Sequence, residues 1–354
     1  MYRSRLDYVP AEWERQDGIL LTWPRRDGDW STLWPEAVAA FTELAVAIGQ
    51  HQNLVLVCPD ADAIPRLEQT LISRGVSRSR FRCCPIPADD TWSRDFGPIG
   101  SLRNGKPQLL NFSFNAWGGR YAAQRDNAIN GALAALGAFN APMEDVDFIL
   151  EGGSIESDGA GTLLTTSGCL LSVQRNSAER TVVEAELKKR LPIERILWLE
   201  SGYLAGDDTD SHIDNLARFS DAATILHVHC KNPDDEHFKA LNAMETELKS
   251  FTDAAGKPYR LQGLPLPQPI HSALDGRRLP ASYLNFLILN DAVLVPTYND
   301  PADQAALTTI AAHFPGRRIV GIDSRTFIEQ NGGVHCLTMQ FAAGTLNPAF
   351  FRQP

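Results

Sequence analysis

Short apolar runs bounded by Gly, Pro, Asp or Asn recur along the whole chain and alternate with stretches of helical periodicity. The runs 19–23, 54–58, 81–86, 108–114, 162–166, 195–199, 224–230, 292–298, 318–322 and 336–341 are rich in Val, Ile, Leu, Thr and Phe, which predicts strands. Trp34, Val38, Phe41, Ala45 and Ile48 recur at helical spacing and predict a helix over 34–50. Similar patterning predicts helices over 61–74, 122–136, 177–190, 234–250 and 301–313. The last two open on Asn232-Pro233-Asp234 and Asn299-Asp300-Pro301, residue types that suit a first helical turn. Strand–helix units follow one another without an exact sequence repeat. No stretch rich in Ser, Gly or Pro divides the chain, and the most proline-dense segment, 261–270, reads as a surface loop. The pattern predicts one α/β domain over residues 1–354.

Composition narrows the classes. At 354 residues the chain can bury a large core, and 44% hydrophobic with 21% charged residues removes the disordered and fibrous classes. No apolar run approaches the roughly 20 residues that a membrane-spanning helix needs, so no membrane partner is expected. The opening MYRSRLDYVP lacks the apolar core and cleavage site of a secretory signal. Six cysteines without a disulfide framework read as reduced thiols, so a cytoplasmic protein is expected. Cys83 and Cys84 are adjacent and have no CxxC partner, which argues against zinc there. A net charge of −10 without clustered Lys and Arg argues against nucleic acid. The size is compatible with a homodimer.

Four segments carry chemistry. Cys336 alone among the cysteines is led in by a glycine pair, in NGGVHC (331–336), where backbone and ligand can approach closely. The others are DTWSRDFGP (90–98), LEGGSIE (150–156) and GDDTDSHID (206–214). Taken singly, acids beside Gly and Pro are usually turns and caps. Together the segments supply a thiol nucleophile, a titratable base and several carboxylates, the set a cysteine needs to attack a positively charged carbon. If 211–214 enters a strand, His212 and Asp214 share a face. A carboxylate beside an imidazole keeps it protonated to higher pH. His335 adjoins Cys336, but neighbours in a strand point to opposite faces, which leaves His212 as the better base. Asp207, Asp208, Asp210, His212 and Asp214 could ligate a hard cation, but the spacing fails the calcium-loop template and no HExxH is present, so no metal is expected.

These segments, in this order, resemble the agmatine deiminases of the guanidine-modifying superfamily, which also holds arginine deiminases and bacterial peptidylarginine deiminases. The resemblance extends to QDGILLTWP (16–24), FNAWGGRY (114–121), EGGSIESDGAGTLLTT (151–166), LPASYLNFLILNDAVLVPTYND (279–300) and NGGVHCLT (331–338). Where many members carry three glycines before the cysteine signature, this chain has Asn331-Gly332-Gly333. The resemblance implies a five-bladed α/β propeller of ββαβ-type units with the active site at its centre. It also implies that Asp95 and Asp214 hold the guanidinium nitrogens, that Glu151 supports His212, that Cys336 attacks and that His212 moves protons. Asp208 falls where the family places an acid near the distal amine of agmatine. Trp92 and Trp117 would wall the aliphatic stem, although ordinary core packing accounts for such rings equally well. Gly333 would let the substrate approach. Water is the second substrate and no cofactor is implied. Two other functions fit less well: deimination of arginine in proteins or peptides, and non-catalytic binding of a guanidine.

Overall fold

The computed structural model describes residues 6–352, so the first five residues of the N-terminal reading lie outside the described residues. Among the described residues, sixteen strands form five small sheets. The first sheet holds β1 (Gln16–Thr22), helix α1 (Trp34–His51) on the crossover to β2 (Asn53–Val57), and α2 (Ile64–Ser73) on the crossover to β3 (Phe81–Cys84). The second is β4 (Ile99–Arg103), β5 (Lys106–Ser113), α3 (Gln124–Ala135) and β6 (Met143–Ile149). The third is β7 (Ile155–Ser157), β8 (Thr162–Thr166), α4 (Arg180–Arg190) and β9 (Arg195–Leu199). The fourth is β10 (Ala217–Asp221), β11 (Thr224–His229), α5 (Phe238–Ser250) and β12 (Arg260–Pro265). The fifth is β13 (Leu287–Ile288), β14 (Ala292–Thr297), α6 (Asp303–His313) and β15 (Arg318–Asp323). In sheets two to five the first two strands are antiparallel and the third runs parallel to the second. The last strand, β16 (Thr338–Ala342), pairs antiparallel with β1 and gives the first sheet the same plan.

Local sequence explains these elements. β2 reads NLVLV and is buried beyond its first residue, as a strand flanked by parallel neighbours should be. Pro35 starts α1, whose Ala37, Phe41, Leu44, Ala45 and Ile48 are buried. Phe41 meets the edge of Trp30 at a centroid distance of 5.2 Å and that of Phe327 at 5.4 Å. The six predicted helices and ten predicted strands all have counterparts, with ends shifted by a few residues.

Three expectations are corrected. The proline-dense segment 261–270 is not simply a surface loop, because Arg260–Pro265 is β12, in register with β11 and burying Leu264. Residues 211–214 do not enter a strand; His212 precedes a 3₁₀ turn, Ile213–Asn215, and β10 begins only at Ala217. Cys336 lies in a turn, and its strand begins at Thr338. No helix among the described residues is long and apolar enough to cross a membrane.

The topology places the functional segments. Each time the chain leaves the last strand of one sheet for the first strand of the next, the connection carries a residue of the site. Asp95 follows β3, Glu151 follows β6, His212 and Asp214 follow β9, Asn285 follows β12 and Cys336 follows β15. Buried Arg218 in β10 ties one of these connections, from β12 to β13, to β7 and to the segment before β1. It pairs with Glu12 at 2.6 Å and Glu156 at 3.1 Å, donates to the carbonyls of Leu284 and Phe286, and lies 4.6 Å from the Phe286 ring centroid. Replacing Arg218 by Met leaves two buried carboxylates without their main counterion. Arg218→Met is expected to lower unfolding free energy by about 3–5 kcal/mol in urea titration.

Candidate active site

Cys336 is held by one side chain from another connection. Asn285 Oδ1 accepts the backbone N–H of His335 (2.9 Å) and of Cys336 (3.2 Å), while its Nδ2 lies 3.0 Å from the Cys336 sulfur. The glycine before this turn is required: a Cβ on Gly333 would sit 2.5 Å from Asn285 Oδ1. Asp214 Oδ2 is 3.5 Å from the sulfur. Burial pushes the thiol well above its ordinary range, and the charges of Asp214 and Asp95 push it further. Without a ligand the sulfur is protonated at neutral pH.

Three carboxylates gather around Cys336 and His212: Asp95 and Asp214 act on the thiol, and Asp95 and Glu151 flank the imidazole. Asp95, in the helical turn Ser93–Phe96, accepts from Trp117 Nε1 (2.9 Å) and from the N–H of Gly153 (3.0 Å). Burial raises its carboxyl to about 6 against the opposing charge of His212. Glu151 accepts Arg175 Nε at 3.0 and 3.3 Å, and His212 and Arg175 together hold its carboxyl low despite burial. Asp214 Oδ2 pairs with His335 Nδ1 at 2.8 Å, whereas its Oδ1 is buried without a protein partner.

His212 is fully buried between two of these acids, 3.7 Å from Asp95 Oδ1 and 3.8 Å from Glu151 Oε2. These separations are too long for hydrogen bonds, and neither ring nitrogen has a protein partner. Burial opposes its charge, but Asp95 chiefly, then Cys169 and Glu151, raise it well above the usual histidine range. His212 is therefore an imidazolium facing unfilled polar positions. His335 does not reach Cys336 with its ring, because its two nitrogens bridge Asp214 and Glu12, the latter at 2.7 Å. A Cβ on Gly153 would fall 2.6 Å from His212 Nδ1 and 2.8 Å from Asp95 Oδ1, which explains the second glycine of Glu151-Gly152-Gly153.

Above Cys336 opens a cleft that reaches the protein surface. Asp29, Asp90, Asp95 and Asp208 contribute acids to its walls, Trp92, Trp117 and Tyr121 contribute rings, and no Lys or Arg among the described residues lines it. Burial, with Asp126 and Asp29, pushes the Asp90 carboxyl up to about 8. Trp117 lies in a run from Ala116 to Gly119 in which every φ is positive, a strained turn that aims its indole N–H at Asp95. Trp92 also packs on Trp30, with centroids 6.0 Å apart, so this ring serves core and cavity alike.

Of the residues expected from the sequence, Cys336, Asp95, Trp92, Trp117 and Asp208 line the cavity, while Glu151, His212 and Asp214 stand behind them. Gly332 lines it rather than Gly333, and a Cβ there would collide with Trp92. Sequence reasoning missed Asn285, although it lies inside 279–300, and also Arg175, Asp29 and Tyr121. Glu151, Cys169 and His212 offer donor atoms within 4.8 Å of one another. Arg175 already occupies Glu151 and the imidazole is held protonated, so this set fits a metal poorly.

Residues 8–342 match the Porphyromonas-type peptidyl-arginine deiminase family, and the chain belongs to that family. It is 34% identical over 357 residues to the agmatine deiminase of Stutzerimonas stutzeri, spanning 94% of this chain and 95% of that one. It also resembles the structure of a C. jejuni agmatine deiminase Cys-to-Ser variant with substrate bound, with a TM-score of 0.87 and 34% identity over 97% of this chain and 99% of that one. A crystal structure provisionally named a peptidyl-arginine deiminase gives a TM-score of 0.91 at 40% identity, over 96% of this chain and 99% of that one.

Gly153→Ala tests the packing at the centre. The new methyl displaces His212 or Asp95, and kcat/KM for ammonia release from a guanidine substrate is expected to fall at least about 100-fold. Circular dichroism should show the fold retained, with a stability loss of about 1–3 kcal/mol.

Proposed function

We propose that this chain is an agmatine deiminase, converting agmatine and water to N-carbamoylputrescine and ammonia. The observation that carries the reading is the cavity itself, with the thiol at one point, acids along its walls and, among the described residues that line it, no cationic side chain to receive a carboxylate. A substrate with a guanidinium at one end and an ammonium at the other matches that distribution. Arginine would bring a carboxylate into the same acidic surroundings.

In the proposed reaction Asp95 and the partnerless Oδ1 of Asp214 take guanidinium N–H groups, since carboxylates grip that planar fork well. The bound cation offsets the charges that keep Cys336 protonated, and the thiol proton passes to water in the open cavity. The thiolate forms a C–S bond with the central carbon as the carbon–nitrogen π bond gives way to a neutral tetrahedral adduct. His212 gives its proton to the departing nitrogen, the C–N bond breaks and ammonia leaves. An S-alkylthiouronium remains. His212, now neutral, removes a proton from water; the oxygen adds to the carbon and the C–S bond breaks, returning the sulfur and releasing the ureido product. Proton transfer of this kind contributes about 10²–10⁴-fold. Glu151 and Arg175 would keep the imidazole oriented.

The same reading treats residues 1–354 as a single catalytic unit and the five sheets as the blades of an α/β propeller. Support for that arrangement comes from the repeated strand plan and from the way each inter-sheet connection feeds the site. The family description favours a second reading, deimination of arginine within peptides, which needs a mouth open enough for a chain. One assay separates them: ammonia release from agmatine, free arginine and an arginyl peptide. Agmatine is expected to exceed arginine by at least roughly 100-fold in kcat/KM, since like charges placed together cost several kcal/mol. Cys336→Ser should abolish turnover. Citrulline formation in the peptide at a comparable rate supports the second reading, and no turnover of any of the three supports guanidine binding without catalysis.

A further inference from the structure

Asn331 holds a left-handed backbone, φ 67°, that glycine would accept more readily. Its side chain is engaged at both ends. Asn331 Nδ2 donates to Asp208 Oδ2 at 3.0 Å, and Asn331 Oδ1 accepts from Arg277 Nη2 at 3.0 Å. Arg277 is itself anchored to Asp275 at 3.0 Å and to the carbonyl of Glu329. The amide therefore has a fixed orientation, with its oxygen turned to the guanidinium and its N–H₂ to the acid. Tyr121 lies at the far side, its hydroxyl 3.4 Å from the same Asp208 oxygen. Three separate connections meet at this rim of the cavity.

We propose that Asn331 is a specificity-determining positioning residue, which fixes the Asp208 carboxylate over the cavity so that it receives the distal cation of the substrate. This rests on the agmatine reading and deepens it. Burial and the neighbouring Asp207 both favour the protonated form of Asp208, while the N–H donated by Asn331 and the charge of Arg120 favour the charged form. Without the Asn331 donor that oxygen is left with the longer Tyr121 contact and is less firmly placed over the cavity. The link also runs along the chain, because Asn331 begins the segment that delivers Gly332 to Trp92 and Cys336 to Asn285.

The test compares agmatine with butylguanidine, which keeps the guanidinium and the four-carbon stem but lacks the ammonium. The ratio of their kcat/KM values is measured for the wild type, Asn331→Gly, Asp208→Asn and the double variant. Glycine accepts this backbone conformation, so Asn331→Gly should fold, as its Tm will report. Its agmatine-to-butylguanidine ratio is expected to fall about tenfold, mainly through KM for agmatine. Asp208→Asn should lower the ratio at least as far, and the double variant should match Asp208→Asn within about twofold, since both changes remove one interaction. A ratio in Asn331→Gly within twofold of wild type, an equal loss on both substrates, or multiplicative effects in the double variant overturns the proposal while leaving the agmatine reading intact. A wild type that does not turn over agmatine overturns both.

Discussion

Everything at the centre of this molecule depends on keeping three carboxylates and a thiol buried together. Asp95, Glu151 and Asp214 are each almost fully removed from solvent, and Cys336 sits among them. Such a cluster is tolerable only with counterions and hydrogen bonds, and the chain supplies Arg175 to Glu151, the His212 imidazolium between Asp95 and Glu151, and a hydrogen bond between His335 Nδ1 and Asp214. The balance is incomplete. Asp214 Oδ1 and both nitrogens of His212 have no hydrogen-bond partner in the protein, and a buried unsatisfied polar atom costs about 1–3 kcal/mol. The acceptor Asp214 Oδ1 is the atom that a planar cation with several N–H donors would satisfy.

The repeated topology explains how such a site is assembled from distant sequence. Five sheets of similar plan deliver five connections, and each brings one or two polar side chains. Loops carry the chemistry and strands fix where the loops begin. The rigidity comes from cross-connections between loops: Asn285 holds the turn of Cys336, the N–H of Gly153 holds Asp95, and Arg175 joins Glu151 to Asp210 and the carbonyl of Thr209. Glycines at 153, 332 and 333 are small because other side chains occupy the space a Cβ would take.

Long amphipathic helices and apolar strands were legible from the sequence because their signals are local. α1 and β2 are examples. β7, β10 and β13 were not: β7 and β13 are only three and two residues long, Arg218, Ser220 and Asp221 interrupt the apolar pattern of β10, and all three owe their existence to partners elsewhere in the chain. The proline in β12 hid a parallel edge strand for the same reason. At the site, residue types with unusual chemistry were legible: a glycine-led cysteine, a histidine among acids. Their local conformation was not, as both Cys336 and His212 sit in turns rather than strands. Asn285 escaped notice because an asparagine in an apolar segment has no signature until the thiol it faces is in place. Arg175 was missed similarly, its role being set by Glu151, 24 residues away.

Burial, reinforced by the charges of Asp214 and Asp95, keeps Cys336 protonated until a planar cation arrives. The direct measurement is the pH titration of its thiolate ultraviolet absorbance, taken as the difference between the protein and Cys336→Ser, with and without acetamidinium. Without the cation the midpoint should lie above that of an ordinary cysteine, about 8.5, and the cation should lower it by more than one unit. A midpoint near or below neutrality in the empty protein, unmoved by the cation, would contradict the account.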